Sequence, residues 1–425
     1  MSLTSTTLLI LAVCLAVAAP AATYVLWNRA RGPRPVRAVT RLGLIGLCQA
    51  TVLLLVGLLV NNHYSLYASW SDLLGDDGGG PVAVRQATHA ATDLNQPDTS
   101  STDARTRLGF GGSGQAAHGN PPTTPNQSNS ANQSNPSNPA NTPNPSSTPN
   151  TANTANAPKP TWVSGSHGTL VATFRGPLSG IGGNGGDVHV WLPPQYHDPA
   201  YANARFPVVM LFPGYPGSPA GWFSVLGGGQ VLGQMIAQQQ ATPFVLVAVD
   251  VNQGGMNLNC SNIPGGPQMA TYIAEDVRTM IEANFHVSDR RTGWGLMGFS
   301  DGGLCAGKLL VQYPQYFRSA AQMAGDSTPD GRQVVRAGAS FVEQNSTLWL
   351  LTHRHPGADL PVSLLASVSD QDTDSLPVAF QLQAAAPDIV SVSEHARGAH
   401  NPAVWRSWLP EMYTWLSQHL DKASS

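Results

Sequence analysis

The hydrophobic positions of this chain begin with two long uncharged runs. Residues 8–27 and 42–60 contain no charged side chain and are 20 and 19 residues long. An α-helix of that length crosses a hydrocarbon core of about 30 Å. The pattern therefore predicts an anchor, residues 1–75, with two transmembrane helices at about 8–27 and 42–60.

The segment between the two apolar runs is basic. Residues 28–41 carry five of the 22 Lys and Arg residues, and basic loops of this kind stay on the cytoplasmic side of a membrane. A cleaved signal peptide is the alternative for residues 1–27, but no Lys or Arg precedes the first run. We expect a multi-pass protein of the cell membrane, with everything after Val60 extracytoplasmic.

Residues 76–160 lose the apolar periodicity. Between 120 and 160 the only charge is Lys159, and there is no aromatic residue and no Val, Ile, Leu or Met. Nothing there offsets the entropy cost of ordering, so the composition predicts a disordered linker rich in Asn, Pro, Ser and Thr. Asn recurs at every third position from 126 to 144. That period matches polyproline II, and a coil without fixed shape is the alternative.

From residue 161 onward short apolar runs alternate with helical patterns. The runs VVMLF and FVLVAV contain no polar position, as is typical of strands buried on both faces. The alternation predicts one domain, residues 161–425, with a mostly parallel sheet and helices on both faces. The predicted strands are residues 170–174, 187–192, 207–212, 244–249, 293–299, 319–323, 347–351, 362–368 and 389–393. The predicted helices are residues 230–240, 269–285, 302–313, 376–386 and 402–420.

The candidate chemistry centres on the motif GFSDG at residues 298–302, which lies between a predicted strand and a predicted helix. A sharp turn in that setting holds a serine oxygen above the carboxyl edge of the sheet, and flanking glycines accommodate the strained turn. The N-terminus of the helix then faces the anion that forms when the serine attacks a carbonyl. Ser300 is the predicted nucleophile.

A serine nucleophile needs a base, and the base needs an acid that fixes its tautomer. His400 lies in a loop between the last predicted strand and the last predicted helix, where the base is expected; His395 is the weaker rival. The strand 362–368 runs into the sequence SDQDTD. Spacing leaves Asp370 and Asp372 open as the acid, because Asp374 lies where it would cap the next helix.

Two backbone N–H groups are required to hold the oxyanion. One comes from the residue after the nucleophile, here Asp301. The strand 207–212 ends in the turn PGYPG, where the N–H of Tyr215 is the expected second donor. The pair at residues 353 and 355 is H-x-H, but no third ligand lies at metal spacing, so we expect neither a metal nor a cofactor.

Residues 188–420 resemble the esterase family of α/β-hydrolases, which includes feruloyl esterases, S-formylglutathione hydrolases, enterochelin esterases and mycolyltransferases. The resemblance is carried by LFPGYPGSPAGWF, by TYIAEDVRTMIEANF before RRTGWGLMGFSDGGLCAGKLLVQYPQYF, and by GAHNPAVWRSWLPEMYTWL. It implies an α/β-hydrolase fold. The sequence looks closest to membrane-anchored actinobacterial members, in which a stretch resembling SDQD places the acid on the Asp after Gln, and this makes Asp372 the first choice.

The exported domain contains two of the four cysteines. Cys260 follows the strand that ends near residue 249, and Cys305 lies in the first turns of the helix after Ser300. We expect the strand that ends near residue 249 to be adjacent to the strand before Ser300. The compartment allows oxidation, so we predict a Cys260–Cys305 disulfide. The other two cysteines fall in the membrane helices.

The sequence thus predicts a membrane-tethered, extracytoplasmic serine esterase that forms an acyl-enzyme with a small-molecule or lipid ester. Mycolyltransferases usually lack the double Gly found at 302 and 303, which favours hydrolysis. Acyl transfer to a sugar of the cell envelope and a non-catalytic envelope scaffold are the alternatives. The net charge of −3 provides no positive field for nucleic acid.

Overall fold

The computed structural model describes residues 6–27, 29, 33–64, 85–86, 158–355, 359–396 and 398–423. Two long helices and an α/β domain lie within these ranges. The predicted linker, residues 76–160, lies outside the described residues except for 85–86 and 158–160.

The two N-terminal helices are α1 (Thr6–Trp27) and α2 (Arg34–Tyr64). Both are long and apolar enough to cross a membrane, with mean hydropathies of 2.3 and 2.4. They pack in antiparallel directions, since Ala12 clusters with Leu58 while Thr23 reaches Cys48 at 3.1 Å. Helix α2 begins earlier than predicted and takes in part of the basic segment, because arginine is a good helix former.

The described strands form one sheet. They are β1 (Arg85–Gln86), β2 (Trp162–Ser164), β3 (Thr169–Ala172), β4 (Val188–Trp191), β5 (Val208–Phe212), β6 (Val245–Val249), β7 (Trp294–Phe299), β8 (Ser319–Met323), β9 (Ser363–Ser369) and β10 (Val390–His395). Their order is β1-β10-β9-β8-β7-β5-β6-β4-β3-β2. Short strands β1 and β2, which the sequence pattern did not predict, lie at the two ends.

The six strands from β10 to β6 in this order are parallel, and the strands outside them pair antiparallel. In the centre of the sheet, β7 lies between β5 and β8, with Gly298 beside Phe212 and Phe299 beside Met323. Parallel strands end at the same edge. The loops after β5, β7, β9 and β10 therefore meet at one carboxyl edge.

Helices cover both faces of the sheet. Alternate residues of β5 show this: Val208 and Met210 belong to one apolar cluster, and Val209 and Leu211 belong to the other. The helices of the domain are α3 (Gly221–Ser224), α4 (Gly228–Ala237), α5 (Met269–Thr271, continued by the π-helical Tyr272–Val277 and by Arg278–Asn284), α6 (Asp301–Gln312), α7 (Arg332–Arg336), α8 (Ala339–Gln344), α9 (Thr347–Thr352), α10 (Ser375–Ala385) and α11 (Pro402–His419).

One predicted strand is wrong. Residues 347–351 form helix α9, whereas the other eight predicted strands are present. A short apolar run does not distinguish a strand from a buried helix. The overlooked signal is Ser346, whose hydroxyl accepts a hydrogen bond from the N–H of Trp349 and so caps the helix.

Candidate active site

Ser300 lies in a tight turn between β7 and α6. Its backbone has φ 55° and ψ −128°, a region that side-chain-bearing residues rarely adopt. Its N–H donates to the carbonyl of Met323 on β8 at 2.9 Å. The strained residue is therefore held by the central strands, at the carboxyl edge of the sheet.

The two glycines of the GFSDG motif allow close backbone approach. A Cβ atom on Gly298 would overlap the carbonyl oxygen of Gly302, and one on Gly302 would overlap the carbonyl oxygen of Phe212. Both positions therefore require glycine. The end of strand β7 packs against the first turn of helix α6, and that turn packs against the end of β5.

His400 connects Ser300 to Asp372. Its Nε2 lies 2.8 Å from the Ser300 Oγ, and its Nδ1 lies 2.8 Å from the Asp372 Oδ2. The His400 side chain is 19% exposed, whereas that of Asp372 is 2% exposed. The arrangement has a buried acid, a partly solvated base and a hydroxyl in one hydrogen-bonded series.

The His400 ring is positioned by the start of helix α11. Asn401 caps that helix, its side-chain oxygen accepting from the N–H groups of Ala403 and Val404. Trp405, one turn into the helix, meets the His400 ring edge to face at 5.0 Å and stacks on Phe299 at 4.5 Å. The imidazole therefore rests against an aromatic cluster beside Ser300.

The structure brings Asp372, and not Asp370, to His400. Asp370 is exposed, and its N–H donates to the carbonyl of His395. The Asp372 Oδ1 accepts from the N–H of Ser375 at 3.1 Å. Burial opposes ionisation of Asp372, but its hydrogen bonds and the charge of His400 outweigh burial and lower the pKa of this carboxyl.

Asp301 directly follows Ser300, and the turn that contains Tyr215 passes close to Ser300 at Gly214. Asp301 is the first residue of α6, so its N–H has no carbonyl partner one turn earlier in the helix. On the other side, Gly214 approaches so closely that a Cβ atom there would lie 3.1 Å from the Ser300 Cβ. The Tyr215 side chain points away into another loop, where its hydroxyl donates to the carbonyl of Gly255 at 3.0 Å.

A buried polar cluster that the sequence pattern did not predict lies under this turn. The Asp301 carboxylate accepts from the Asn259 amide at 2.5 Å, and burial raises the pKa of Asp301 to about 7. The Lys308 ammonium, fully buried, donates to the Asn259 carbonyl and the Ser261 hydroxyl, and burial lowers its pKa to about 7. The available signal was a single lysine within the apolar helix sequence GLCAGKLLV.

The same region contains the Cys260–Cys305 disulfide, whose two cysteines are separated by 45 positions in the sequence. It joins the loop after β6 to helix α6, one helical turn beyond Ser300. The predicted pairing is therefore present in the structure, although the two strands are not adjacent as expected, because β5 lies between β6 and β7.

The other histidines considered in the sequence have other partners. His395 is buried, stacks on Trp408 at 4.5 Å and lies 3.2 Å from the Glu411 Oε2. His353 stacks on Trp349 at 4.0 Å. In the parts of the chain that the structure describes, no three His, Cys, Asp or Glu side chains are grouped as metal ligands.

Comparison with known proteins shows the family. Residues 183–416 match the family model named Esterase, and the chain belongs to that family. An uncharacterized protein of Corynebacterium glutamicum is 28% identical over 144 residues, which are 34% of this chain and 33% of that protein. The chain thus spans about a third of the length of this curated relative.

A solved structure shows the same fold. A ferulic acid esterase superposes with a TM-score of 0.51 at 17% identity, covering 60% of this chain and 98% of that one. An S-formylglutathione hydrolase from Agrobacterium tumefaciens gives 0.49 at 15% identity, covering 61% and 99%. The chain therefore belongs to the Esterase family and has an α/β-hydrolase fold, as the resemblance in its sequence implied.

Proposed function

We propose that this esterase hydrolyses carboxylic esters through a serine nucleophile, with Ser300, His400 and Asp372 as the catalytic triad. The observation that carries the proposal is the pair of 2.8 Å contacts from the His400 ring to Ser300 and to Asp372. A base within hydrogen-bonding distance of a serine, oriented in turn by a buried acid, is the geometry that nucleophilic catalysis requires.

In the first step the Ser300 Oγ attacks the ester carbonyl while His400 Nε2 takes the serine proton. The carbonyl oxygen becomes an oxyanion, which accepts hydrogen bonds from the N–H groups of Asp301 and Tyr215. The imidazolium then donates its proton to the alkoxide leaving group as the carbon–oxygen bond breaks. The products of this step are an alcohol and the acyl-enzyme.

In the second step water attacks the acyl carbonyl, and His400 accepts one of its protons. The same two N–H groups hold the second oxyanion. The proton returns to the Ser300 oxygen as the carboxylic acid leaves. Throughout, the negative charge of Asp372 stabilises the imidazolium and holds its Nδ1–H in place.

The proposal also covers location and domain organisation. Helices α1 and α2 cross the membrane as the anchor 1–75, residues 76–160 form the linker, and residues 161–425 act outside the cytoplasm. The apolar lengths of the helices, the arginines between the two uncharged runs and a disulfide in the domain support this topology. The intact mass of the purified protein tests it: a cleaved signal peptide removes the first helix, whereas an anchor retains it.

A fluorophosphonate probe tests the chemistry. The Ser300 oxygen would form a bond to phosphorus as fluoride leaves, and His400 would take the serine proton. We expect labelling of the wild-type protein and hydrolysis of a p-nitrophenyl ester, both abolished by Ser300→Ala. Ser407→Ala, at an exposed serine on α11, should keep both. A folded wild-type protein that neither labels nor hydrolyses any ester would refute the proposal.

A further inference from the structure

The loop that presents Tyr215 is held by one side chain from a neighbouring loop. Asn252, three residues after strand β6, donates through its Nδ2 to the carbonyl of Gly214 at 2.9 Å and to that of Gly217 at 3.0 Å. These two carbonyls lie on either side of Tyr215 in the chain. Both hydrogens of a single amide are thus used to close the turn PGYPG.

The bond to Gly214 also determines where the Tyr215 N–H points. The carbonyl of Gly214 and the N–H of Tyr215 belong to the same peptide unit, which is planar, with the two groups on opposite sides. An amide that fixes the oxygen therefore fixes the hydrogen. If this peptide unit rotated, it would present a carbonyl oxygen, and not a donor, to the oxyanion.

Asn252 is itself well positioned. It is 7% exposed, and its own N–H donates to the Asp250 Oδ1 at 3.0 Å, which fixes the start of the loop. Its carbonyl accepts from the N–H of Gly255 at 2.8 Å. The opposite orientation of the amide would set its oxygen against the carbonyls of Gly214 and Gly217, so the donor role follows from the two acceptors.

We infer that Asn252 is a positioning residue that orients the second oxyanion donor, the N–H of Tyr215. This inference rests on the proposed function, because it assigns a purpose within the same site. Asn252 acts through the peptide unit of residues 214 and 215 and does not touch the reacting atoms. It should therefore affect the chemical step more than substrate binding.

The test is Asn252→Asp, which keeps the shape of the side chain and removes both donors. We expect kcat for a p-nitrophenyl ester to fall about 10- to 100-fold, with KM changed less than about threefold, since loss of a whole oxyanion donor costs about 10²- to 10³-fold. The rate of phosphonylation by the fluorophosphonate should fall in parallel, because its phosphoryl oxygen uses the same donors.

A matched control is Asn284→Asp. The Asn284 amide also donates to two backbone carbonyls, those of Met280 at 2.8 Å and Pro158 at 3.3 Å, but it lies at the end of α5, away from Ser300. This variant should keep the wild-type kcat. Asn252→Ala repeats the test without adding a charge, in case the Asp variant folds poorly.

The end point of phosphonylation counts intact sites, so every kcat is expressed per site that can be labelled. A kcat that is unchanged in Asn252→Asp or Asn252→Ala, or a rise in KM alone, overturns the inference while the proposed function stands. A wild-type protein that is never labelled points to failure of the proposed function instead.

Discussion

The turn at Ser300, the proposed nucleophile, and the loop at Asp372, the proposed acid, lie at the same edge of the sheet but are held in different ways. We call them the nucleophile turn and the acid loop. Around Ser300 the constraint is backbone against backbone: Gly298 packs on Gly302, and Gly302 packs on Phe212. Around Asp372 the constraint is side-chain hydrogen bonding to Ser375 and His400. Adding atoms to the first region should lower the stability of the protein. In the second region, removing a charge without changing the shape of the side chain should lower its activity.

The largest expected effect comes from the acid loop. In Asp372→Asn the side chain keeps its shape but presents an amide to the His400 Nδ1, which favours the wrong imidazole tautomer. We expect kcat to fall about 10³- to 10⁴-fold, with little loss of thermal stability. Steady-state kinetics on a p-nitrophenyl ester measures this.

Asp370→Asn is the matched control for that prediction. Asp370 is two residues away and exposed, and its backbone N–H donates to the carbonyl of His395. We expect kcat within about twofold of the wild-type value, as for most exposed substitutions. Equal losses in the two variants would show that the loop as a whole, rather than the Asp372 carboxylate, supports activity.

Added side-chain atoms should destabilise the nucleophile turn by steric overlap. A Cβ atom in Gly302→Ala would meet the carbonyls of Phe212 and Pro213, which are backbone atoms that cannot swing aside. We expect the free energy of unfolding to fall by about 3 kcal/mol or more. Urea denaturation followed by tryptophan fluorescence measures the loss.

Gly233→Ala provides the comparison. This glycine lies inside helix α4, and an added Cβ would make an ordinary contact of 3.6 Å with the Trp191 ring. Alanine in a helix interior should raise the free energy of unfolding by about 0.5–1 kcal/mol. If Gly302→Ala were as stable as Gly233→Ala, backbone crowding would not be what holds Ser300.

The same contrast explains how far the sequence alone could predict the site. The nucleophile turn is local, so the GFSDG motif and its flanking patterns were enough to predict it. The choice between Asp370 and Asp372 was left open by spacing, because it depends on how the loop turns toward Ser375, whose hydroxyl bonds to the distant carbonyl of Ala324. Only the family resemblance favoured Asp372.

Other features were missed for a related reason. Asn252 and Asn259 act on residues 35 to 72 positions away in the chain, and no local pattern marks such contacts. Helix α9 was predicted as a strand because its apolar run is short. The fold followed from periodicity, whereas the supports of the site depend on tertiary contacts.

The last expected effect concerns the buried amine of Lys308 under the nucleophile turn. Burial lowers the pKa of Lys308 from its ordinary 10.5 to about 7. Between these two values the unfolded chain holds a proton that the folded chain has lost. The free energy of unfolding should therefore rise with pH from about 7 to about 10, with a slope of at most about 1.4 kcal/mol per pH unit.

Lys308→Met isolates this contribution. The substitution keeps most of the side-chain volume, removes the titration and leaves the carbonyl of Asn259 and the hydroxyl of Ser261 without their donor, so stability should fall by about 1–3 kcal/mol. The raised pKa of Asp301 has the opposite effect, a loss of stability as pH rises toward about 7. Asp301 is present in both proteins, so this effect largely cancels when their free energies of unfolding are subtracted. Urea denaturation at pH 7, 8 and 9 should show that the free energy of unfolding of the wild type increases with pH relative to that of the variant. A constant difference would mean that Lys308 stays protonated in the folded protein, and that the turn carrying Ser300 rests on a buried ammonium group instead of a neutral amine.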